Sequence, residues 1–346
     1  MRLTATGDGP LERLALALNL APVPAGHALY GQTAGRAVAV AQRLGLFTRL
    51  AQGPADAERL ARDLDLQPAG TRLLCQTLVG LELLSERAGT FALTRRARRW
   101  LDPASERYIG TWLEHSATYW EWYGDLERVV RHGGSFDIHA HDSAEQDYWR
   151  VYITGQYELA RLSAAQVARA IRLPARPRAL LDVAGGHGWF AAELCRRHAG
   201  LHATVLELPG SARVGRQIIA RAGLSERVFH REGDMFTAEL GGPYDGALAF
   251  DIVHHLSDEQ TRALFARVRA ALRPGATFAV LDMFRSRRRL SASAASLGLF
   301  FHLTSGADLP DAATLSEQLV QAGFSVPRRR RIRRIPDQDL YQATAL

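Results

Sequence analysis

The hydrophobic positions change their period about halfway along the chain, and this change predicts two structural regions. From residue 28 to residue 105, apolar residues recur at helical spacing in "GRAVAVAQRLGLFTRLA", "ADAERLARDLDL" and "TRLLCQTLVGLELL". The next segment, "LSERAGTFAL", predicts a hairpin, and "TRRARRWL" follows it. Three helices and then a hairpin are the plan of a winged helix. We therefore predict a mostly helical winged-helix domain over residues 1–105.

The third helical segment, Thr71 to Leu84, bears on what this domain does. In a winged helix that reads DNA, polar and basic side chains of this helix reach the base edges. Here the segment offers mainly Leu, Cys, Val and Gly, and Arg72 is its only basic residue. We therefore expect a dimerisation module covered by protein, with no nucleic acid bound.

Beyond Pro174, short apolar segments alternate with amphipathic ones. Predicted strands such as "ALLDVAG", "HATVLEL", "YDGALAFD" and "TFAVLDMF" are separated by helical patterns such as "WFAAELCRRHA" and "DEQTRALFARVRAAL". Repeated β-α units form a parallel sheet with helices on both faces, and its ligands lie at the carboxyl ends of the strands. The predicted fold class is therefore α/β, with a Rossmann-like domain over residues 106–346.

The lead-in of this second domain, residues 106–173, is predicted to be helical and is rich in Trp and Tyr. Such side chains either pack helices together or line a pocket for a flat, apolar small molecule, and the pattern leaves both options open. The candidate acceptor-pocket residues come from this segment and from "LFFHLTS"; they are Trp112, Tyr119, Trp149, Phe301 and His302.

Composition narrows the class of protein. The chain has 346 residues, 47% hydrophobic and 23% charged, as expected of a folded protein with two domains. No window reaches the roughly 18 consecutive apolar residues of a membrane helix, and the start lacks a signal-peptide layout. We therefore expect a cytoplasmic protein without membrane contact. Cys75 and Cys195 are too few for a disulfide framework or a cysteine-based zinc cluster.

The net charge is +7, and every basic residue is arginine, because the chain contains no lysine. The runs "RSRRR" (Arg285 to Arg289) and "RRRRIRR" (Arg328 to Arg334) could contact nucleic acid or an acidic partner. In "VPRRRRIRRI", however, the apolar Val326 and Ile332 fall at even positions. This spacing favours an edge strand whose charged face discourages further pairing.

The segment "LLDVAGGHGWF" is the strongest candidate for a ligand site. A strand leads into Gly185, Gly186 and Gly188 and then into a helix, a layout in which the backbone can approach a ligand closely. The acid Asp182 precedes the glycines. A carboxylate there would repel a pyrophosphate and suits a cationic ligand, such as a sulfonium that also carries an ammonium group.

Two further strand ends extend this candidate site. Glu207 ends the next predicted strand in "VLELPG", where its carboxylate can accept hydrogen bonds from both hydroxyls of a ribose. Asp234 and Met235, in "EGDMF", suit an adenine, since the acid can take the exocyclic amine and the thioether can lie on the ring face.

With these motifs, residues 28–346 resemble the small-molecule O-methyltransferases of the caffeic acid and acetylserotonin type, in their bacterial branch. The motifs are "LLDVAGGHG", "VLELP", "GDMF", "VHHLSDE", "LRPGATFAVLD" and "LVQAGF". The resemblance implies a homodimer, S-adenosylmethionine as cofactor, and methyl transfer to a hydroxyl of a small aromatic or apolar secondary metabolite. It places Gly185 against the methionyl part of the cofactor, Glu207 on the ribose, and Asp234 with Met235 around the adenine.

The histidine pair in "FDIVHHLSDE" supplies the candidate base. A phenol with a pKa near 10 costs about 4 kcal/mol to ionise at pH 7, and an imidazole with a pKa near 6.5 is suited to remove its proton. By the resemblance, His254 is the catalytic base and Asp282 orients it, while His255 gives structural support. Phe250 replaces a lysine that usually contacts the cofactor. The second orienting acid of the family falls near Leu309, so that role stays open.

A metal-dependent alternative is also open. A minority branch of the same family, C-methyltransferases of α-keto acids, binds iron or zinc through residues after the fourth strand and a later histidine. His254, His255 and His302 could supply such a ligand set; otherwise no metal is expected. The H-x-H in "FDIHAHDS", His139 and His141, is expected to lie in a solvated loop.

Overall fold

The computed structural model describes residues 7, 9–142, 144–285, 291–332 and 338–346. Within them the chain forms two compact units, which divide between Glu121 and Trp122. The predicted domain boundary after residue 105 lies upstream of this division. Parts of the two basic runs, residues 286–289 and residues 333 and 334, lie outside the described residues.

The N-terminal unit is mainly helical. Its elements are α1 (Pro10–Ala17), α2 (Val23–Arg43), α3 (Leu46–Ala51), β1 (Ala55–Asp56), α4 (Ala57–Leu64), α5 (Pro68–Gly80), β2 (Leu84–Arg87), β3 (Thr90–Leu93), α6 (Arg95–Leu101) and α7 (Gly110–Ser116), while α8 (Tyr119–Gly124) spans the division. The strands form an antiparallel sheet in the order β1-β3-β2. The predicted sequence of helices followed by a hairpin is confirmed.

Local signals set the helix limits in this unit. Helix α4 begins where the Asp56 side chain accepts a hydrogen bond from the Arg59 N–H at 2.7 Å, a typical N-cap. Helix α5 begins with Pro68 in its first turn and ends at Gly80, four residues before the predicted end at Leu84. The buried core includes Leu46, Phe47, Leu50, Leu60, Cys75, Leu78 and Phe91.

The second unit is built on a large sheet. Its helices are α9 (Leu126–His132), α10 (Gln146–Ala160), α11 (Ala164–Ala170), α12 (Trp189–Arg197), α13 (Pro209–Arg221), α14 (Asp258–Ala270), α15 (Ala292–Ser305) and α16 (Ala312–Gln321). Its strands are β4 (Ala179–Val183), β5 (His202–Glu207), β6 (Val228–Glu232), β7 (Tyr244–Phe250), β8 (Leu272–Met283), β9 (Arg328–Arg331) and β10 (Gln338–Thr344).

The order of strands in this sheet is β6-β5-β4-β7-β8-β10-β9. Strands β4 to β8 pair in parallel, as the β-α pattern predicts, whereas β10 pairs antiparallel with β8 and β9. The chain runs outward from β4 in one direction to β6 and then returns to place β7 on the other side of β4. Such a reversal opens a crevice at the carboxyl ends of β4 and β7.

Strand β9 confirms the prediction of a charged edge strand, because β10 is its neighbour on one side and the sheet order ends with it. Ile332 is buried after the strand, while Val326 before it is exposed. Arg329 forms an ion pair with Asp339 of β10 at 2.5 Å. None of the helices seen in the described residues has both the length and the apolar character required to cross a bilayer.

Candidate active site

The candidate site begins at two tight turns in the crevice. Ala184 follows β4 with φ +53°, and Asp251 follows β7 with φ +52°. Both are non-glycine residues in the left-handed region, a costly conformation that is typically retained at functional sites. Their backbone N–H groups donate to Leu206 and Leu281 at 2.9 and 2.8 Å, so the neighbouring strands hold both turns in place.

The glycines after β4 form the turn that leads into α12. Gly186 and Gly188 have φ values of +50° and +67°, which other residues adopt only with strain. A side chain at Gly185 would place its Cβ 2.6 Å from Oδ2 of Asp182. The turn can therefore pass directly over the Asp182 carboxylate only because residue 185 is glycine.

Two buried carboxylates lie under this turn. Asp182 and Glu207 are 1% and 9% exposed, and Oδ2 of Asp182 has no hydrogen-bond partner among the described residues. Burial and the negative charge of Glu207 raise the pKa of Asp182 to about 8. Burial raises the pKa of Glu207 to about 7. The hydrogen bonds from Leu208 and Gly186 lower this pKa, but burial has the larger effect. No cationic side chain among the described residues is a cause of either pKa, and this fits a cationic ligand.

Glu207 is held in a defined orientation by the backbone. Its Oε2 accepts a hydrogen bond from the N–H of Gly186, and its Oε1 accepts one from the N–H of Leu208, both at 2.7 Å. Each carboxylate oxygen can accept a second hydrogen bond, so the group can still receive two hydroxyls. A ribose diol fits this donor and acceptor pattern.

The residues after β6 and at the end of β7 differ in their surroundings. Asp234 is exposed, and its Oδ1 accepts hydrogen bonds from Phe236 and Thr237 at 2.7 and 3.2 Å. Met235 is partly buried against the core of the sheet. Phe250 is a core residue that packs edge-to-face on Phe190, with ring centroids 5.1 Å apart.

His254 and Asp282 form a buried dyad beside these turns. His254 lies in a short 3-10 turn after β7, and its Nδ1 is 2.7 Å from Oδ1 of Asp282. Asp282 also accepts the N–H groups of His254 and Met283, at 3.2 and 2.7 Å, so its carboxylate is fixed. Because a carboxylate accepts from Nδ1–H, Nε2 is left to take up a proton. Phe301 stacks on the imidazole, with centroids 3.8 Å apart.

Asp251 brings a second carboxylate to His254, and it is not among the site residues predicted from the sequence. Asp251, His254 and Asp282 each offer one atom that could bind a metal, and these three atoms all lie within 4.8 Å of one another. The surrounding protein and the charge of Asp282 raise the pKa of Asp251 to about 7. Because Asp251 is exposed, we expect solvent to moderate this shift. Gln338 of β10 donates a hydrogen bond to its carboxylate.

The position where the family has its second acid is occupied differently. Leu309 is buried in an apolar cluster with Ala294 and Phe301. Asp308 forms an ion pair with Arg285. Asp251, which stands between Phe250 and the histidine pair in the sequence, is the carboxylate that reaches His254 instead.

His139 is not the freely solvated side chain that the sequence predicts. Its Nε2 lies 3.3 Å from the hydroxyl of Tyr152, and its ring meets the edge of His255 with centroids 4.8 Å apart. Burial lowers the pKa of His139 to about 4. Burial and the imidazoles of His254 and His139 lower the pKa of His255 well below its usual value. These two rings are neutral at neutral pH. His141 pairs instead with Glu145 at 2.9 Å.

The candidate acceptor-pocket residues are placed differently from one another. Phe301 contacts the base, but His302, the next residue of α15, is exposed, because successive residues of a helix point about 100° apart. Trp149 is 2% exposed in the core between α10 and α13, and its indole occupies the space beside Gly210. Buried Trp149 presents little surface to an acceptor, whereas the role of exposed His302 as a pocket wall stays a prediction. Trp112 and Tyr119 belong to the N-terminal unit and pack edge-to-face on each other.

The alternative metal ligand set is not assembled. Across the part of the chain that the structure describes, the group of three or more side chains that could hold a metal is Asp251, His254 and Asp282. His255 and His302 are not members of it, and the three-histidine set stays an alternative proposed from the sequence. In this group Nδ1 of His254 is already hydrogen-bonded to Asp282.

Known proteins resemble both units. Residues 122–325 match the family model of the O-methyltransferase domain, and residues 27–103 match that of the O-methyltransferase dimerisation domain. The chain is 29% identical over 248 residues to 3-hydroxy-5-methyl-1-naphthoate 3-O-methyltransferase of Streptomyces sahachiroi. The aligned region covers 69% of this chain and 70% of that protein.

Two further matches come from mammals. Acetylserotonin O-methyltransferase of Mus musculus is 30% identical over 262 residues, covering 69% of this chain and 67% of that protein. The crystal structure of human N-acetylserotonin methyltransferase in complex with SAM superimposes with a TM-score of 0.82 at 20% identity, over 99% of each chain. The fold is thus shared along nearly the whole chain.

Proposed function

Because the chain belongs to the S-adenosylmethionine-dependent O-methyltransferase family, we propose that it methylates a phenolic hydroxyl of an aromatic secondary metabolite, with His254 as general base. The observation that carries this proposal is the buried hydrogen bond between His254 and Asp282, at the carboxyl end of the strand next to the glycine turn. When bound, S-adenosylmethionine supplies the methyl group from its sulfonium. The naphthoate relative supports an aromatic acceptor.

His254 performs the proton transfer in this proposal. Its Nε2 removes the hydroxyl proton, and the electron pair of the O–H bond stays on the oxygen that becomes methylated. Asp282 holds Nδ1–H and stabilises the imidazolium that forms, and Asp251 adds a second negative charge nearby. Without a base, ionising a phenol with a pKa near 10 costs about 4 kcal/mol at pH 7.

The cofactor is proposed to lie over the glycine turn. Asp182 is suited to the cationic part of the molecule, because its buried Oδ2 has no hydrogen-bond partner in the part of the chain that the structure describes. Glu207 is suited to the ribose, because the backbone fixes both of its oxygens. The turn itself would supply Gly185, Gly186 and Gly188 as backbone contacts, and Asp234 and Met235 would flank the adenine. Phe250, as a core residue, gives indirect support only.

An acceptor panel tests the proposed function. We expect purified protein to form S-adenosylhomocysteine with a hydroxynaphthoate and to form none with the matched naphthoate that lacks the hydroxyl, measured by mass spectrometry. If only the matched aminonaphthoate were turned over, the proposed activity would be N-methylation and not O-methylation. Turnover of an α-keto acid that a chelator abolishes and iron or zinc restores would support the metal-dependent alternative instead.

We further propose a homodimer that uses an apolar stripe on the N-terminal helices, which is supported by the match to a dimerisation domain. Leu11, Leu14 and Leu18 recur at helical spacing on and just after α1, and all are exposed. Leu29 and Tyr30 of α2 are exposed as well. Large apolar side chains in such density on one unit are typical of a protein interface.

Replacing both Leu14 and Leu18 with glutamate is expected to weaken the dimer by more than about tenfold, since burying two unpaired carboxylates is costly. Analytical ultracentrifugation over a concentration series measures the dissociation constant. Val130→Glu is the matched control, because Val130 is an exposed apolar residue of the other unit. A wild-type monomer, or a double variant that dimerises like the wild type, would contradict the proposed interface.

A further inference from the structure

Gly186 is held through both of its backbone polar groups, which belong to the two peptide groups on either side of its Cα. Its N–H donates to Oε2 of Glu207 at 2.7 Å, and its carbonyl oxygen lies 3.0 Å from Nε2 of His230. His230 belongs to β6, which pairs with β5, the strand that ends in Glu207. A carbonyl oxygen only accepts hydrogen bonds, so Nε2 of His230 carries the proton. The glycine turn, the acid proposed to bind the ribose and β6 are thus joined through the backbone of one residue, Gly186.

Two glycines make room for the imidazole. A Cβ at Gly188 would lie 3.0 Å from Cε1 of His230. A Cβ at Gly215 of α13 would collide with Nε2 of His230 and would lie 2.5 Å from the carbonyl oxygen of Gly186. Both the turn and the helix therefore lack a side chain at the point where His230 enters between them.

The environment of His230 keeps it in one protonation state. Its Nδ1 is buried and has no hydrogen-bond partner among the described residues. Burial is the main cause that lowers the pKa of His230 to about 4. The hydrogen bond to Gly186 raises this pKa, and the positive charge of Arg216 lowers it further. The ring is therefore neutral at neutral pH and is a constant hydrogen-bond donor rather than a pH switch.

We propose that His230 is a positioning residue for the cofactor, because it holds the carbonyl of Gly186 and, across the Cα of that residue, the N–H that orients the Glu207 carboxylate. This inference rests on the proposed placement of the ribose at Glu207. No sequence pattern singles out His230, since "RVFHREGD" places it inside a strand and 44 residues after its partner. A group that acts only through a backbone contact at the cofactor site should change cofactor affinity more than the chemical step.

Calorimetry with S-adenosylhomocysteine and steady-state kinetics test the proposal. His230→Ala should raise the dissociation constant and the KM for S-adenosylmethionine about tenfold, with kcat changed less than about threefold. His230→Gln, whose Nε2 amide can donate to the same carbonyl, should restore most of the affinity. His202→Ala, at an exposed histidine of β5, is the matched control and should bind as the wild type does. Equal losses in the alanine and glutamine variants would overturn the inference.

Two measurements distinguish this inference from the proposed cofactor placement. If His230 acts through Glu207, the double variant His230→Ala/Glu207→Ala should bind no more weakly than Glu207→Ala alone, whereas additive losses would overturn the role of His230. Unchanged binding in Glu207→Ala would instead overturn the ribose placement. Nitrogen-15 NMR of the wild type should show the Nε2–H tautomer at His230; an Nδ1–H tautomer would exclude the proposed hydrogen bond even if the variants fail to fold.

Discussion

Replacing His254 with alanine is expected to lower kcat by about 10²- to 10⁴-fold, the usual contribution of a general base. The affinity for S-adenosylhomocysteine should change less than about twofold, since the proposed cofactor contacts lie at the ends of β4, β5 and β6. The imidazole is fixed by Asp282 at 2.7 Å and by stacking on Phe301, so its loss removes the proton acceptor rather than a ligand contact. Steady-state kinetics with the best acceptor and calorimetry measure the two quantities.

The pH dependence separates a base from a structural residue. Burial by itself lowers the pKa of His254, but the charge and hydrogen bond of Asp282 and the charge of Asp251 outweigh burial and raise it above 6.5. The base must be neutral, so activity should fall as pH falls through this raised pKa. Asp251→Asn removes a negative charge, which should lower the pKa of His254 and move the acid limb of kcat to lower pH.

His255→Ala is the matched control for His254, because it removes the adjacent imidazole, whose pKa is low and which has no carboxylate partner among the contacts of the structure. This variant should keep at least about a tenth of the wild-type kcat. Turnover by His254→Ala within about threefold of the wild type would eliminate the base assignment. An acid limb that stays in place in Asp251→Asn would remove Asp251 from the mechanism.

Replacing Glu207 with alanine is expected to weaken S-adenosylhomocysteine binding by more than about tenfold. A hydrogen bond to a charged acceptor contributes about 1.5–3 kcal/mol, and a factor of ten corresponds to about 1.4 kcal/mol. The variant loses both proposed ribose contacts and also frees the N–H of Gly186 from its acceptor. Calorimetry measures the loss, and Glu207→Gln, which keeps one acceptor oxygen, should lie between the alanine variant and the wild type.

Glu232→Ala provides the comparison for Glu207. Glu232 pairs in register with Glu207 on the neighbouring strand, but it is exposed and forms an ion pair with Arg216. Its loss should leave the dissociation constant within about twofold of the wild type, because exposed ion pairs contribute little. Equal affinities for Glu207→Ala, Glu232→Ala and the wild type would mean that the ribose does not lie at Glu207.

Several features follow from local patterns and were predicted correctly. The strand, glycine turn and helix around "LLDVAGGHGWF" depend on the spacing of apolar residues, on residues that allow positive φ and on short-range hydrogen bonds. The structure has β4, the glycine turn and α12 at this place. The charged strand at Arg328 follows from alternation over a few residues, and it is the edge strand β9. Interactions within a segment are encoded in that segment, so the sequence is sufficient for them.

The residues that surround the reactive groups depended on the tertiary structure. Asp251 and His254 meet Asp282 because β7 and β8 are neighbours in the sheet, and His230 reaches Gly186 because β6, β5 and β4 are neighbours as well. Trp149 fits a pocket by residue type, yet it lies in the helical core. The sequence by itself determined the family motifs, the β-α repeat and the candidate base. Strand order, register and helix rotation decided which distant side chains meet, because these depend on contacts between residues far apart in the chain, which no local period records.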